Sequence, residues 1–123
     1  MSDQAALLDV VRVAFAAFNA HDLDRITSFF AEEQMPRGSD PRGRRFVGKK
    51  AVRESLHSRF IGIPDVHYGD DEHFVAGDVG VSKWPLRGTS LKGEPIEVRG
   101  CDFHKFRAGK VIEKDPYWKI RER

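Results

Sequence analysis

The sequence predicts an α+β domain, three helices followed by a four-strand antiparallel meander. Three observations carry this. Apolar residues recur at three- and four-residue spacing as far as residue 60, then the period changes to two after Pro64. The last quarter of the chain, Pro95 to Arg121, has two extended runs flanking Arg107-Ala108-Gly109, a turn signal. Helices segregated from antiparallel strands pack on one face of the sheet.

The elements follow in order. Leu7, Val10, Val11, Ala14, Phe15 and Phe18 form one apolar stripe on a helix over 3–19, with Ser2 or Asp3 at its start. Asn19-Ala20-His21 is a break, and Asp22 is the N-cap of a second helix that buries Leu23, Ile26, Phe29 and Phe30. The two make a helical hairpin. Residues 34–48 carry Pro36, Gly38, Ser39, Asp40, Pro41 and Gly43 and read as a loop, either functional or plain surface, with a short strand at Arg45-Phe46-Val47. Lys49 to Phe60 is the third helix, with Val52, Leu56 and Phe60 on one side and Gly62 and Pro64 ending it. Val66 to Ala76 is a strand bulged at Gly69-Asp70-Asp71, and Val79 to Gly88 is the next.

The closing hairpin is where turn chemistry decides which residues share a face. Ala-Gly does not suit a two-residue turn, which needs φ > 0 at both positions. A three-residue loop with one αL glycine fits Arg107-Ala108-Gly109, pairs Phe106 with Lys110 and sets Asp102 opposite Lys114. The even-numbered face, which includes Asp102, His104, Phe106, Ile112, Lys114 and Trp118, is apolar and reads as the inside. The other face, with Cys101, Phe103, Val111 and Tyr117 among charges, reads as the outside and as a mixed surface suited to a homodimer.

Composition excludes several functions. The 123 residues make a single domain, 1–123. Lys and Arg number 21 against 19 Asp and Glu, so no nucleic-acid partner is expected; Arg42, Arg44, Arg45, Lys49 and Lys50 read as a solvated loop and first helical turn. The lone Cys101 excludes an intramolecular disulfide and an all-cysteine metal site, and His57, His67 and His73 lack metal-ligand spacing. No phosphate loop or dinucleotide fingerprint is present, so no cofactor and no metal are expected. No leader segment and no apolar run near twenty residues appear, so no membrane partner is expected and the cytoplasm is the expected compartment.

F-N-A-H-D-L-D (18–24), F-F-A-E-E (29–33), V-G-K-K-A-V-R-E-S-L (47–56), R-G-C-D-F-H-K-F-R-A-G-K-V-I (99–112) and Y-W (117–118), in this order, resemble the SnoaL-like group of the nuclear transport factor 2 and ketosteroid isomerase superfamily. The resemblance spans nearly the whole chain. It implies three helices wrapped on a curved sheet of four to five antiparallel strands, a cone enclosing a pocket, often dimeric through the sheet. It implies isomerase, polyketide cyclase, hydrolase or dehydratase activity, or none. Asp102 matches the aspartate that donates to the developing enolate oxygen of the isomerase. Asp40 stands against its general base with a one-residue shift. The oxyanion tyrosine would fall near Ala14, and the strand after the second helix contracts to about Gln34-Met35.

The candidate catalytic residues are therefore Asp102, His104, Lys114 and Asp40. Asp102 and Lys114 form either a working pair or a structural ion pair. His104 is a candidate acid or base, or a satisfied strand histidine. Asp102 and His104, two apart on one strand, lie about 7 Å apart by strand rise. Trp118, Trp84, Phe106 and Phe18 are candidate walls for a small hydrophobic or ring-containing ligand, with plain core the alternative for both tryptophans, above all for Trp84. Two functions fit: a cofactor-independent isomerase or lyase moving a proton next to a carbonyl, or a non-catalytic binding or interaction module.

Overall fold

A computed structural model describes residues 3–31, 37–39 and 43–119. Helices α1 (Asp3–Asn19) and α2 (Leu23–Ser28) form the expected hairpin. The Asp22 carboxylate caps α2 by accepting from the Arg25 N–H at 3.1 Å. Strands β1 (Arg37–Ser39) and β2 (Arg45–Val47) precede α3 (Lys49–Gly62). Then come β3 (His67–Tyr68), β4 (Glu72–Ala76), β5 (Val79–Thr89), β6 (Pro95–Arg107) and β7 (Lys110–Trp118). The sheet order is β2-β1-β7-β6-β5-β3, and β4 also pairs with β5.

Two features depart from expectation. The sheet is not purely antiparallel, because short β1 runs parallel to β7, Arg37 opposite Glu113. The chain leaving α2 already runs alongside β7: Val111 N–H donates to the Phe29 carbonyl at 2.8 Å and Ala31 N–H to the Val111 carbonyl at 2.9 Å. Gln34-Met35 and Asp40 lie outside the described residues.

The second departure is the hairpin turn. Its loop has two residues, not three: Arg107 pairs with Lys110, and both Ala108 (φ 51°) and Gly109 (φ 78°) are left-handed. Alanine accepts here the conformation usually left to Asn or Gly. A bulge at Ile112 then shifts the register, so that Phe106 faces Val111 and Lys105 faces Glu113. Val111, expected outside, is buried beside Phe106. Beyond the bulge His104 faces Lys114 and Asp102 faces Pro116. The pairing differs by two from the expected one, which preserves the faces.

The bulge expected at Gly69-Asp70-Asp71 is present. Tyr68 pairs with Leu86 and Glu72 with Lys83, so three residues of one strand span two of the other, with Asp70 at φ 47°. The extra residue reverses the alternation. Tyr68 is buried before it, and after it the odd-numbered His73 turns inward while Phe74 turns out.

The core lies between the helices and the inner sheet face, where Val11, Phe15, Phe18, Ile26 and Phe30 meet Tyr68, Trp84, Leu86 and Phe106. Asn19 explains much of the F-N-A-H motif. Its side chain accepts from the Tyr68 N–H at 2.8 Å and donates to the Tyr68 carbonyl at 3.0 Å, fixing the end of α1 to β3. His21 bonds the Val66 carbonyl at 2.7 Å and stacks on Phe60.

Candidate active site

A cavity lies between the helical hairpin and the inner face of β6 and β7. Its wall is almost wholly apolar, from Phe15, Phe18, Phe29, Phe30 and Val111 among others. Its ionisable groups are Tyr68, His104 and Lys114. The last two meet because they are cross-strand partners on the inward face. The cavity volume is about 40 Å³, room for a few water molecules.

Of the residues singled out in the sequence, His104, Lys114 and Phe18 line this cavity. Trp84 and Phe106 are buried in the core on the same sheet face, and partly buried Trp118 packs against that core. The Trp118 ring meets the edge of Trp84 and lies under the Arg59 guanidinium. Asp102 is fully buried and is not part of the cavity wall. The expected Asp102–Lys114 ion pair does not form, since Lys114 stands one cross-strand pair away. Asp102 Oδ2 accepts instead from the Trp84 indole N–H at 3.0 Å, and Oδ1 has no hydrogen-bond partner among the described residues.

Electrostatics follow from this burial. Desolvation raises the Asp102 carboxyl above the usual aspartate value, against the opposing charge of Lys114 and the Trp84 bond. Burial, then the Lys114 charge, lowers His104 to about 3, so the imidazole is neutral near pH 7. Burial, then Asp102, holds the Tyr68 hydroxyl well above the usual tyrosine range, so it stays protonated.

A polar chain unanticipated from sequence runs behind His104. His104 Nε2 lies 3.2 Å from Ser82 Oγ, which lies 2.8 Å from His73 Nδ1. His73 Nε2 in turn meets Asp71 Oδ2 at 2.5 Å. Ser82 is completely buried, directly opposite His73 and diagonal to His104 on the facing strand. Phe15 of α1 sets its ring edge-on against both imidazoles. One signal could have found the chain: the bulge at Gly69-Asp70-Asp71, carried through, turns His73 to the same face as His104.

Comparison with known proteins agrees with this architecture. Residues 11–114 match the SnoaL-like domain family. A presumed polyketide cyclase from Xanthomonas campestris pv. campestris superposes with a TM-score of 0.89 at 19% identity, over 96% of this chain and 93% of that one. A presumed SnoaL-like polyketide cyclase from Jannaschia gives 0.84 at 17%, over 94% and 87%. A protein of ketosteroid isomerase-like fold from Catenulispora acidiphila, solved with trimethylamine, gives 0.81 at 17%, over 90% and 85%. No functionally curated protein matches in sequence. With three helices on a curved, mainly antiparallel sheet and a family match over most of its length, the chain belongs to the SnoaL-like family.

Proposed function

We propose that the protein is a cofactor-independent isomerase or lyase that moves a proton next to a carbonyl of a small ring-containing substrate. The observation that carries this is the cavity wall: an uncharged imidazole and an ammonium side by side, with Tyr68, in an enclosure otherwise lined by apolar side chains. His104 acts as base toward the substrate C–H. Lys114 holds the enolate oxygen by charge, and the protonated Tyr68 hydroxyl is a second donor to it. His104 is a weak base at rest because burial and the Lys114 charge oppose its protonation. Negative charge developing on the substrate offsets Lys114, so the imidazole gains basicity as the transition state forms. Asp102 supports this wall from behind, its carboxyl raised by burial and held by Trp84, and does not itself move the proton. Asp40 carries no step here.

A ring does not fit a cavity this small, so binding widens it by shifting the aromatic side chains of the helical hairpin. That tightness favours a second reading, a binding module without chemistry. Proton exchange separates the two. Cyclic ketones and 1,3-diketones in D2O, followed by NMR, should lose α-proton signal faster with the protein than without it. His104→Gln should abolish the acceleration, and Lys114→Met should reduce it at least tenfold. Ligands that raise the melting temperature with no exchange in any of them would leave the binding module standing.

A further inference from the structure

We propose that Asp71, His73, Ser82 and His104 form a proton relay that lets His104 take a proton from the cavity without keeping a positive charge. Its use in turnover rests on the proton-transfer function above; its existence as a hydrogen-bonded wire does not.

The direction of the wire follows from its outer end. Asp71 is 31% exposed at its side chain, and a carboxylate oxygen only accepts. His73 therefore places its proton on Nε2, toward Asp71, and its Nδ1 lone pair accepts the Ser82 O–H. The Ser82 oxygen then accepts from the His104 Nε2–H. That leaves His104 Nδ1 as a lone pair, on a side chain that lines the cavity. The wire crosses three adjacent strands, β4, β5 and β6, on one face.

The need for it is electrostatic. A buried imidazolium beside Lys114 is disfavoured, and His104 is held far below the ordinary histidine range. A concerted shift removes the difficulty. The substrate C–H proton goes to His104 Nδ1 and its electron pair stays on the substrate as the enolate. The Nε2 proton goes to Ser82 Oγ, the Ser82 proton to His73 Nδ1, and the His73 Nε2 proton to Asp71 and so to water. One proton enters and one leaves, and both histidines end neutral with their tautomers exchanged. The Nδ1–H of His104 then stands ready to return a proton to the substrate at another atom, and the reverse shift resets the wire.

The groups facing the wire are Lys114 on β7, Asp102 on β6 itself, Tyr68 on β3 and Asp71 at the head of β4. From α1 the described contact is the uncharged Phe15 ring. None of them accepts a proton from Ser82 in place of His73.

The test is the tautomer of His104, read by nitrogen NMR of labelled histidines. At neutral pH His104 should carry its proton on Nε2. Ser82→Ala, which removes the acceptor of that proton, and Asp71→Asn, at a partly exposed site, should each leave His104 as a mixture of tautomers at neutral pH. Nδ1–H at neutral pH in the wild type, or an Nε2–H preference that survives Ser82→Ala, overturns the relay. In the ketone exchange assay Ser82→Ala should slow exchange at least tenfold with KM unchanged. An unchanged rate there also overturns the relay, whereas absence of exchange in the wild type overturns only the catalytic function.

Discussion

Replacing Asp102 with Asn isolates the effect of burying an ionisable group behind the cavity. The isostere keeps an oxygen to accept from Trp84 Nε1–H, the one hydrogen bond the carboxylate makes. Its amide NH2 takes the place of unpartnered Oδ1, a pH-independent cost of about 1–3 kcal/mol. The pH-dependent part has a definite sign. Burial raises the folded carboxyl above 3.8, so above that pH the unfolded chain releases this proton first. The stabilising contribution of the neutral group is complete below 3.8 and is lost as pH rises through the folded value. Between the two, the wild type loses about 1.4 kcal/mol per pH unit relative to Asp102→Asn. Urea unfolding of both proteins at steps from pH 4 to 8 measures the difference directly. If the wild type instead gains on the variant as pH rises, the carboxylate is ionised and paired in the native state, and the argument from burial is wrong. A difference independent of pH refutes it as well.

Gly100→Ala should cost about 2–3 kcal/mol, seen as a lower urea midpoint. A Cβ there would lie 2.3 Å from the Tyr117 carbonyl oxygen, which is backbone, and 3.0 Å from the Trp84 ring. An unchanged midpoint would mean β7 can move away. A homodimer through the outer sheet face is also expected: exposed Phe74 and Phe103 flank Val81 in one cross-strand row, with Tyr117 set edge-on against Phe103. Phe103→Glu should convert a dimer to a monomer in sedimentation at micromolar concentration, and a wild-type monomer would refute the expectation.

How much could be read from the residues alone depended on how local the determining physics was. The stripe Leu7–Phe18, the Asp22 cap and the even-numbered inward face of β6 rest on neighbours along the chain, and each was legible. The hairpin turn was misread because Ala108 is a poor advertisement for φ > 0; nothing in its chemistry signals a conformation imposed by the strands on either side. That turn and the bulge at Ile112 together set Lys114 opposite His104 rather than Asp102, which decides the pair of groups that meets at the cavity. Trp84 could not be placed by alternation, and its hydrogen bond to Asp102 depends on contacts eighteen positions apart. Nothing local marks Ser82 in the sequence; its place in the chain depends on the imidazoles supplied by the strands on either side.

The extra residue at Gly69-Asp70-Asp71 takes up a mismatch of length at the rim of the sheet: five steps from Tyr68 to His73 run beside four from Leu86 to Ser82. Deleting one residue there would make the two counts equal, and His73 would still face Ser82 while Phe74 stayed outside. The polar row is therefore set by the pairing of β4 with β5 and not by the length of the segment that leads into it. The rim can shorten by one residue while the wire and the long central strands stay as they are.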